Sequence, residues 1–205
     1  MRFTLSVLLA ASLLAAPASA QPAPPPVDTQ TPRGAYLVYA DEQGTAFVSF
    51  EPALATTNVW PLSFFYFATG AIAGSARMTG SGDCGQGVVR GRLTDATGAD
   101  GAALTLPQGE ATPSFAFDRA AAGGDEAIVS FVCGNTEARL IQAETPVFGQ
   151  PRTVADRYRR LREAGLADRL ARSLAIRDAE ASAGLVASAV PEAQRAAVNA
   201  ILRGN

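Results

Sequence analysis

The chain has 205 residues, with 19 acidic side chains against 17 basic ones, and every basic residue is arginine. The absence of histidine and lysine excludes Ser-His-Asp and Cys-His catalysis, histidine metal sites and Schiff-base chemistry. The remaining route to acid-base catalysis is a pair of carboxylates with perturbed pKa values. No spacing of Asp and Glu residues in the sequence indicates such a pair. We therefore predict a protein that is not an enzyme and uses no cofactor.

The N-terminal segment has the three parts of a secretory signal peptide. Arg2 supplies a positive charge, residues 5–16 form a short apolar core, and residues 18–20, Ala-Ser-Ala, fit the small-x-small cleavage rule. The apolar core is too short for a membrane-spanning helix. We therefore expect cleavage of residues 1–20 after Ala20 and a periplasmic or secreted mature protein.

A proline-rich segment follows the expected cleavage site. Residues 21–32 contain five prolines and no aromatic side chain. Such a composition cannot build an apolar core, and it predicts an extended linker.

Residues 33–150 have the pattern of an antiparallel β domain. Short runs of β-branched and aromatic residues alternate with glycine-rich turns, and the runs 36–39 and 46–50 flank a turn at 41–44. No helical period separates the runs, so parallel crossovers are not expected. The predicted class is α+β by segment: mainly an antiparallel β-sandwich or small barrel, followed by a short α-helical C-terminal region. Further strands are predicted at 62–68, 74–79, 87–94, 102–106, 114–117, 127–133 and 138–143.

The two cysteines, Cys84 and Cys133, predict one disulfide. An even number of cysteines on an export route most simply forms a structural bridge. The alternative is a redox-active or metal-binding pair. The sequence has neither a C-x-x-C spacing nor a histidine, and this favours the structural bridge.

The acidic, glycine-containing run at residues 95–101 is the nearest approach to a metal site. Its carboxylates could contribute to calcium binding, but the acidic third position and the distal glutamate of a calcium loop are missing. We interpret the run as an ordinary loop and predict no metal.

The uncharged stretch at residues 52–76 has two interpretations. Its apolar centre could be a membrane span, but Pro61 and Gly70 interrupt it, and the aromatic run at 64–67 favours a strand. We therefore predict a strand and no stable membrane insertion.

Aromatic side chains in this strand form a candidate ligand site. Trp60, Phe64 and Tyr66 fall on one face because successive side chains of a strand alternate. A strand that is apolar on both faces lies in a core or lines an apolar cavity. The three residues are therefore candidate contacts for a small apolar ligand, such as an acyl chain or an aromatic group, with core packing as the alternative.

Residues 151–205 are rich in alanine, leucine and arginine and are predicted to be helical. Apolar residues before and after Gly165 would lie on opposite faces of one straight helix, so a break is expected there. The first predicted helix has an N-cap at Thr153 and ends at the break at Gly165. A second helix is predicted over 166–181, and Gly184 ends it. Pro191 opens a predicted third helix, in which Val198, Ile201 and Leu202 face inward and which Gly204 follows.

The balance of charge changes at the same boundary. Residues 21–150 carry 6 Arg against 13 Asp and Glu, whereas residues 151–205 carry 10 Arg against 6. Opposite charges allow docking of the helices on the β domain, capture of an acidic partner, or no specific interaction. The net charge of −2 argues against nucleic acid as a partner. Candidate contacts for an envelope protein or a second copy are Arg157, Tyr158, Arg159, Arg160 and Leu161.

The functional prediction follows from these exclusions. We expect an exported, non-enzymatic binding or scaffolding protein whose helical region mediates self-association or contact with an envelope partner. One alternative is a carrier of a small apolar ligand in the β domain. A second alternative is a hydrolase that uses two carboxylates.

Overall fold

The structure is a computed structural model that describes residues 34–107, 109, 112–135 and 145–204. The expected signal peptide at 1–20, the linker at 21–32 and the strand predicted at 138–143 lie outside these residues.

The described strands form one antiparallel sheet in which each strand pairs with its neighbour in sequence. This arrangement, with the sheet first and helices after it, confirms the predicted α+β class. Helices pack on both faces of the sheet. The strands are β1 (Gly34–Ala40), β2 (Gly44–Phe50), β3 (Val59–Ala68), β4 (Ala71–Asp83), β5 (Val88–Thr97) and β6 (Ser114–Asp118).

Six α-helices are described. None of those within the described ranges has the length and apolarity to cross a bilayer. The helices are α1 (Pro52–Ala55), α2 (Gly123–Cys133), α3 (Pro151–Glu163), α4 (Asp168–Ala175), α5 (Ala179–Ala189) and α6 (Glu192–Arg203), and a 3-10 turn (Arg119–Ala121) precedes α2.

Two predicted strands are wrong. Residues 127–133 belong to helix α2, whose buried side chains Ile128, Val129, Phe131 and Val132 follow a helical spacing. Residues 102–106 form only an isolated bridge, between Ala103 and Thr97.

The helical region breaks at Gly165 as predicted, because this residue has a φ of +84° between α3 and α4. The prediction for Thr153 is wrong: α3 begins at Pro151, whose fixed φ suits the first helical position. The predicted second helix is two helices, since the Asp178 carboxylate caps α5 by accepting a hydrogen bond from the backbone N–H of Ala181 at 2.6 Å.

The end of the helical region also differs in one respect from the prediction. Gly184 lies inside α5 and does not end a helix. The third predicted helix, α6, is confirmed, with Pro191 as its N-cap and Gly204 in the left-handed conformation after it. Its buried side chains are the predicted Val198, Ile201 and Leu202.

The helices α3 to α6 share a core with one face of the sheet. Val154, Tyr158 and Leu161 of α3 are fully or almost fully buried, in the same cluster as Phe47 and Phe65 of the sheet. The Tyr158 ring also stacks on Phe67, with the centroids 6.3 Å apart. The apolar stripe of the helical region is therefore covered by the sheet of the same chain.

The opposite face of the sheet packs on α2. Leu62, Met78 and Val89 point toward this helix, and its buried residues belong to the same cluster. The predicted disulfide is confirmed: Cys84, just after β4, is bonded to Cys133, the last residue of α2. The bridge holds the C-terminal end of α2 against the β4–β5 hairpin.

Candidate functional site

The structure separates Trp60 from the other two predicted ligand contacts, Phe64 and Tyr66. Trp60 is 2% exposed and packs near the rings of Phe50 and Phe131, at centroid distances of 5.9 and 6.3 Å. For Trp60 the core-packing alternative therefore applies. Phe64 and Tyr66 lie farther along β3, and Tyr66 is 51% exposed.

Phe64 and Tyr66 do come together at a small cavity between the sheet and the start of α2. We call it the aromatic groove and define it by Tyr39, Phe64, Tyr66 and Phe117. Its volume is about 240 Å³. The Phe64 and Phe117 rings stack with their centroids 5.6 Å apart, so two aromatic faces of the groove are held in place.

Two of the predicted partner contacts are buried. Leu161 has no exposed surface, and Tyr158 is 1% exposed. The Tyr158 hydroxyl donates a hydrogen bond of 2.6 Å to the Asp168 carboxylate. Burial and this hydrogen bond raise the pKa of the hydroxyl. Tyr158 and Leu161 thus hold the helical region on the sheet and are not available to a partner.

The predicted arginine contacts also have intramolecular partners. The Arg157 guanidinium donates to the carbonyl oxygens of Ala175 and Arg177, at 2.9 and 2.8 Å, and so binds the C-terminal end of α4. Burial lowers its pKa. Arg159 pairs with its helix neighbours Asp156 and Glu163, each at 2.7 Å.

Arg160 is partly buried and also has an interaction within the protein. The three arginines Arg157, Arg159 and Arg160 therefore do not form a free basic surface. Their contacts are the ones expected of side chains that order a helical region.

A different set of arginines lies on the sheet. The register places Ser81, Arg90 and Ala116 side by side on β4, β5 and β6. It places Thr79, Arg92 and Ser114 in the next row. All six side chains are exposed. They lie on the face of the sheet that carries Phe65, because side chains two residues apart point to the same side.

We call this surface the arginine face. It is a shallow groove of about 620 Å³. Arg90 and Arg92 are two residues apart on one strand, so their Cα atoms are separated by roughly 7 Å. The residues that define the face are Val59, Thr79, Ser81, Arg90, Arg92, Ser114 and Ala116.

The two guanidinium groups keep most of their hydrogen-bonding capacity. Arg90 donates one long hydrogen bond, of 3.4 Å, to the side-chain oxygen of Gln86. Within the described ranges, the salt bridges involve Arg159 and Arg162 and neither arginine of this face. Each guanidinium has five N–H donors, so both groups can receive a carboxylate or a phosphate.

Carboxylates border the arginine face. Asp95 is opposite Arg77 at one end. Asp83 and Asp118 lie at the other end, and each has an oxygen that accepts a backbone N–H, from Gln86 at 3.1 Å and from Ala120 at 2.9 Å. The charges of Arg90 and Arg92 therefore lie between carboxylates at the two ends of the surface.

The face is open because the helical region covers only part of the sheet. Helices α3 to α6 pack on the apolar residues of β1 to β3 and the beginning of β4, such as Leu37, Phe65 and Ile72. On β4 and β5 the same side of the sheet carries hydroxyl and guanidinium groups. This part of the sheet therefore lacks the apolar surface on which an amphipathic helix packs. The alternation R-x-T-x-S at 77–81 and R-x-R at 90–92 is the sequence signal for this surface, and none of these residues was among the predicted contacts.

The described residues offer little for metal chemistry. Among them, no group of three or more cysteine, aspartate or glutamate side chains could hold a metal ion. The chain matches no protein-family model, no curated protein and no solved structure.

Proposed function

We propose that the chain is an exported, non-enzymatic binding protein that holds an anionic partner on the arginine face. The observation that carries this proposal is the exposed pair Arg90 and Arg92, which lie in one groove and form no salt bridge with any carboxylate of the described residues. Guanidinium forks bind carboxylates and phosphates with two parallel hydrogen bonds. An anionic ligand is the chemistry that this surface fits.

The scaffold supports this role. Both arginines are on β5, which pairs with a strand on each side and is more rigid than a loop. The disulfide between Cys84 and Cys133 lies next to the β4–β5 hairpin and restrains it further. A site on paired strands presents its charges at a fixed spacing, which favours recognition of a ligand with a repeating charge.

The helical region has a different part in this proposal from the one that its sequence predicted. Its apolar side packs on β1 to β3, so any self-association or envelope contact would use its outer surface. Exposed arginines on that surface include Arg169 and Arg203. They serve as matched controls for the arginine face.

The test measures binding to polyglutamate, a linear carboxylate polymer, in low salt. We expect Arg90→Gln with Arg92→Gln to weaken binding roughly two- to thirtyfold, because each exposed ion pair contributes about 0.2 to 1 kcal/mol. The control is Arg169→Gln with Arg203→Gln, which removes the same charge elsewhere. Equal losses in the two double variants would show that only net charge matters, and would contradict the proposal.

A second candidate function is carriage of a small apolar ligand in the aromatic groove. The stacked rings of Phe64 and Phe117 and the exposed Tyr66 favour it. The volume of about 240 Å³ is below the usual 300–1,000 Å³ of ligand pockets, so only a single ring or a short chain would fit. Equilibrium dialysis with phenol, a single-ring ligand, tests this function: Tyr66→Ala should weaken binding, and no uptake of phenol by the unaltered protein would exclude a single aromatic ring as the ligand.

A further inference from the structure

We infer that the ligand of the arginine face is an acidic polysaccharide, a linear polymer of sugars that carry both carboxylates and hydroxyls. This inference rests on the proposed function and specifies its ligand. Three features of the face support it: its mixture of chemical groups, the shape of the groove and the carboxylates at its border.

Hydroxyl groups accompany the two guanidiniums. Thr79 and Ser114 flank Arg92 on the neighbouring strands, and Ser81 is beside Arg90. A guanidinium only donates hydrogen bonds, whereas a hydroxyl both donates and accepts. A carboxylate only accepts hydrogen bonds, so it can use the donor of each protein hydroxyl but not its acceptor. A ligand that carries both carboxylates and hydroxyls can use the donors and the acceptors of the three protein hydroxyls.

The groove has the shape for a linear chain. Its rows cross four strands from Val59 on β3 to Ala116 on β6, a span of roughly 14 Å at the usual spacing of strands. A linear polymer can extend along such a row, whereas a compact anion such as a single phosphate would contact only the residues next to the guanidinium groups. The apolar Val59 and Ala116 lie at the two ends of one row, where the C–H faces of sugar rings can pack.

The border of the face disfavours a densely charged polymer. Asp83, Asp95 and Asp118 would repel a chain with closely spaced negative charges, such as polyphosphate, more than a polymer with one carboxylate per sugar ring. The same carboxylates accept hydrogen bonds from neutral sugar hydroxyls. A polymer in which hydroxyls surround each carboxylate satisfies both the arginines and the border.

The experiment compares three polymers on the unaltered protein: polygalacturonate, polyglutamate with the same number of carboxylates, and neutral dextran. We expect polygalacturonate to bind at least tenfold more tightly than polyglutamate, and dextran to bind more weakly than either. Equal affinity for the two acidic polymers overturns the inference and leaves the proposed function intact. Failure of both acidic polymers to bind, or equal binding of dextran, overturns the proposed function as well.

Variants then test which residues cause the preference for polygalacturonate over polyglutamate. Thr79→Val, Ser81→Ala and Ser114→Ala together should remove most of the preference for polygalacturonate and leave binding to polyglutamate within twofold. Arg90→Gln with Arg92→Gln should weaken binding to both polymers. An unchanged preference in the hydroxyl variant would overturn the inference. If the triple variant misfolds by circular dichroism, the exposed single variant Ser114→Ala, which should lower the preference in part, replaces it.

Discussion

Removal of the helical region should destroy the fold of the sheet. The perturbation is truncation after Gln150, which uncovers the sheet residues Leu37, Phe47, Phe65 and Ile72, each at most 7% exposed in the whole protein. Complete burial of such a side chain contributes roughly 1.5 to 3 kcal/mol. The burial free energy lost at these four side chains is therefore comparable to the 5–15 kcal/mol of total stability that a typical domain has.

We expect the truncated protein to aggregate or to lack a cooperative unfolding transition. Size-exclusion chromatography and urea denaturation followed by tryptophan fluorescence measure this, because Trp60 is buried in the other apolar layer. The substitution Leu161→Ala is a milder perturbation of the same interface, and it should lower the free energy of unfolding by about 2 to 5 kcal/mol. The exposed control Arg169→Ala should change the free energy of unfolding by no more than about 0.5 kcal/mol. A soluble truncated monomer with an unchanged urea midpoint would refute the reasoning.

Three further predictions concern the disulfide, the buried tyrosine and export. Replacement of Cys84 and Cys133 by serine should lower the free energy of unfolding by about 2 to 4 kcal/mol, because the bridge closes a loop with a sequence separation of 49; equal urea midpoints in the oxidised and serine forms would contradict this. Burial raises the pKa of Tyr158 in the folded state, so the stability that depends on its neutral form is present below the unfolded pKa of about 10 and is lost as the pH rises above it. Urea midpoints at pH 8 and 11 measure the loss, which Tyr158→Phe should reduce. Protein recovered from the periplasm should have the intact mass of a chain that starts at Gln21, and a mature pool that retains Met1 would exclude cleavage after Ala20.

Elements with local signals could be predicted from the sequence. The β1–β2 hairpin was predicted because its turn and its alternating runs are adjacent in sequence. The break at Gly165 was predicted because the apolar residues before it and after it would lie on opposite faces of one straight helix, and the φ of +84° at this residue confirms the break. Both features depend on a few neighbouring residues, so no tertiary information was needed.

Helix α2 was missed because its local preference opposes its final structure. Ile128, Val129, Phe131 and Val132 are β-branched or aromatic residues with a high strand propensity. In the folded chain they pack against β1 to β5 on the face opposite the helical region, and a helix brings all four of them to that surface. Tertiary packing therefore outweighs propensity in this segment, and a window of seven residues cannot reveal it.

The arginine face was missed for a different reason. Arg90 and Arg92 are separated from Ser114 by more than twenty residues, and only the strand register brings them into adjacent positions. The arginines of the helical region stood out because they are close together in sequence. Their proximity reflects contacts along and between helices, such as those of Arg157 with α4.

The same residue type thus has two roles, and ionic strength should distinguish them. Charges exposed on a surface are screened over about 8 Å at physiological salt and over about 3 Å at 1 M, whereas partly buried hydrogen bonds are screened much less. Arg90 and Arg92 are exposed, and Arg157 is partly buried against two carbonyl groups.

Raising sodium chloride from 0.05 to 0.5 M should therefore weaken polyglutamate binding at the arginine face at least fivefold and leave the urea midpoint of the unliganded protein almost unchanged. Arg157→Gln should show the reverse behaviour, with a lower urea midpoint at both salt concentrations and unaltered binding. If salt lowered the urea midpoint as strongly as it weakened binding, the arginines of the helical region would also act through exposed charge, and the division between a structural and a binding set of arginines would be wrong.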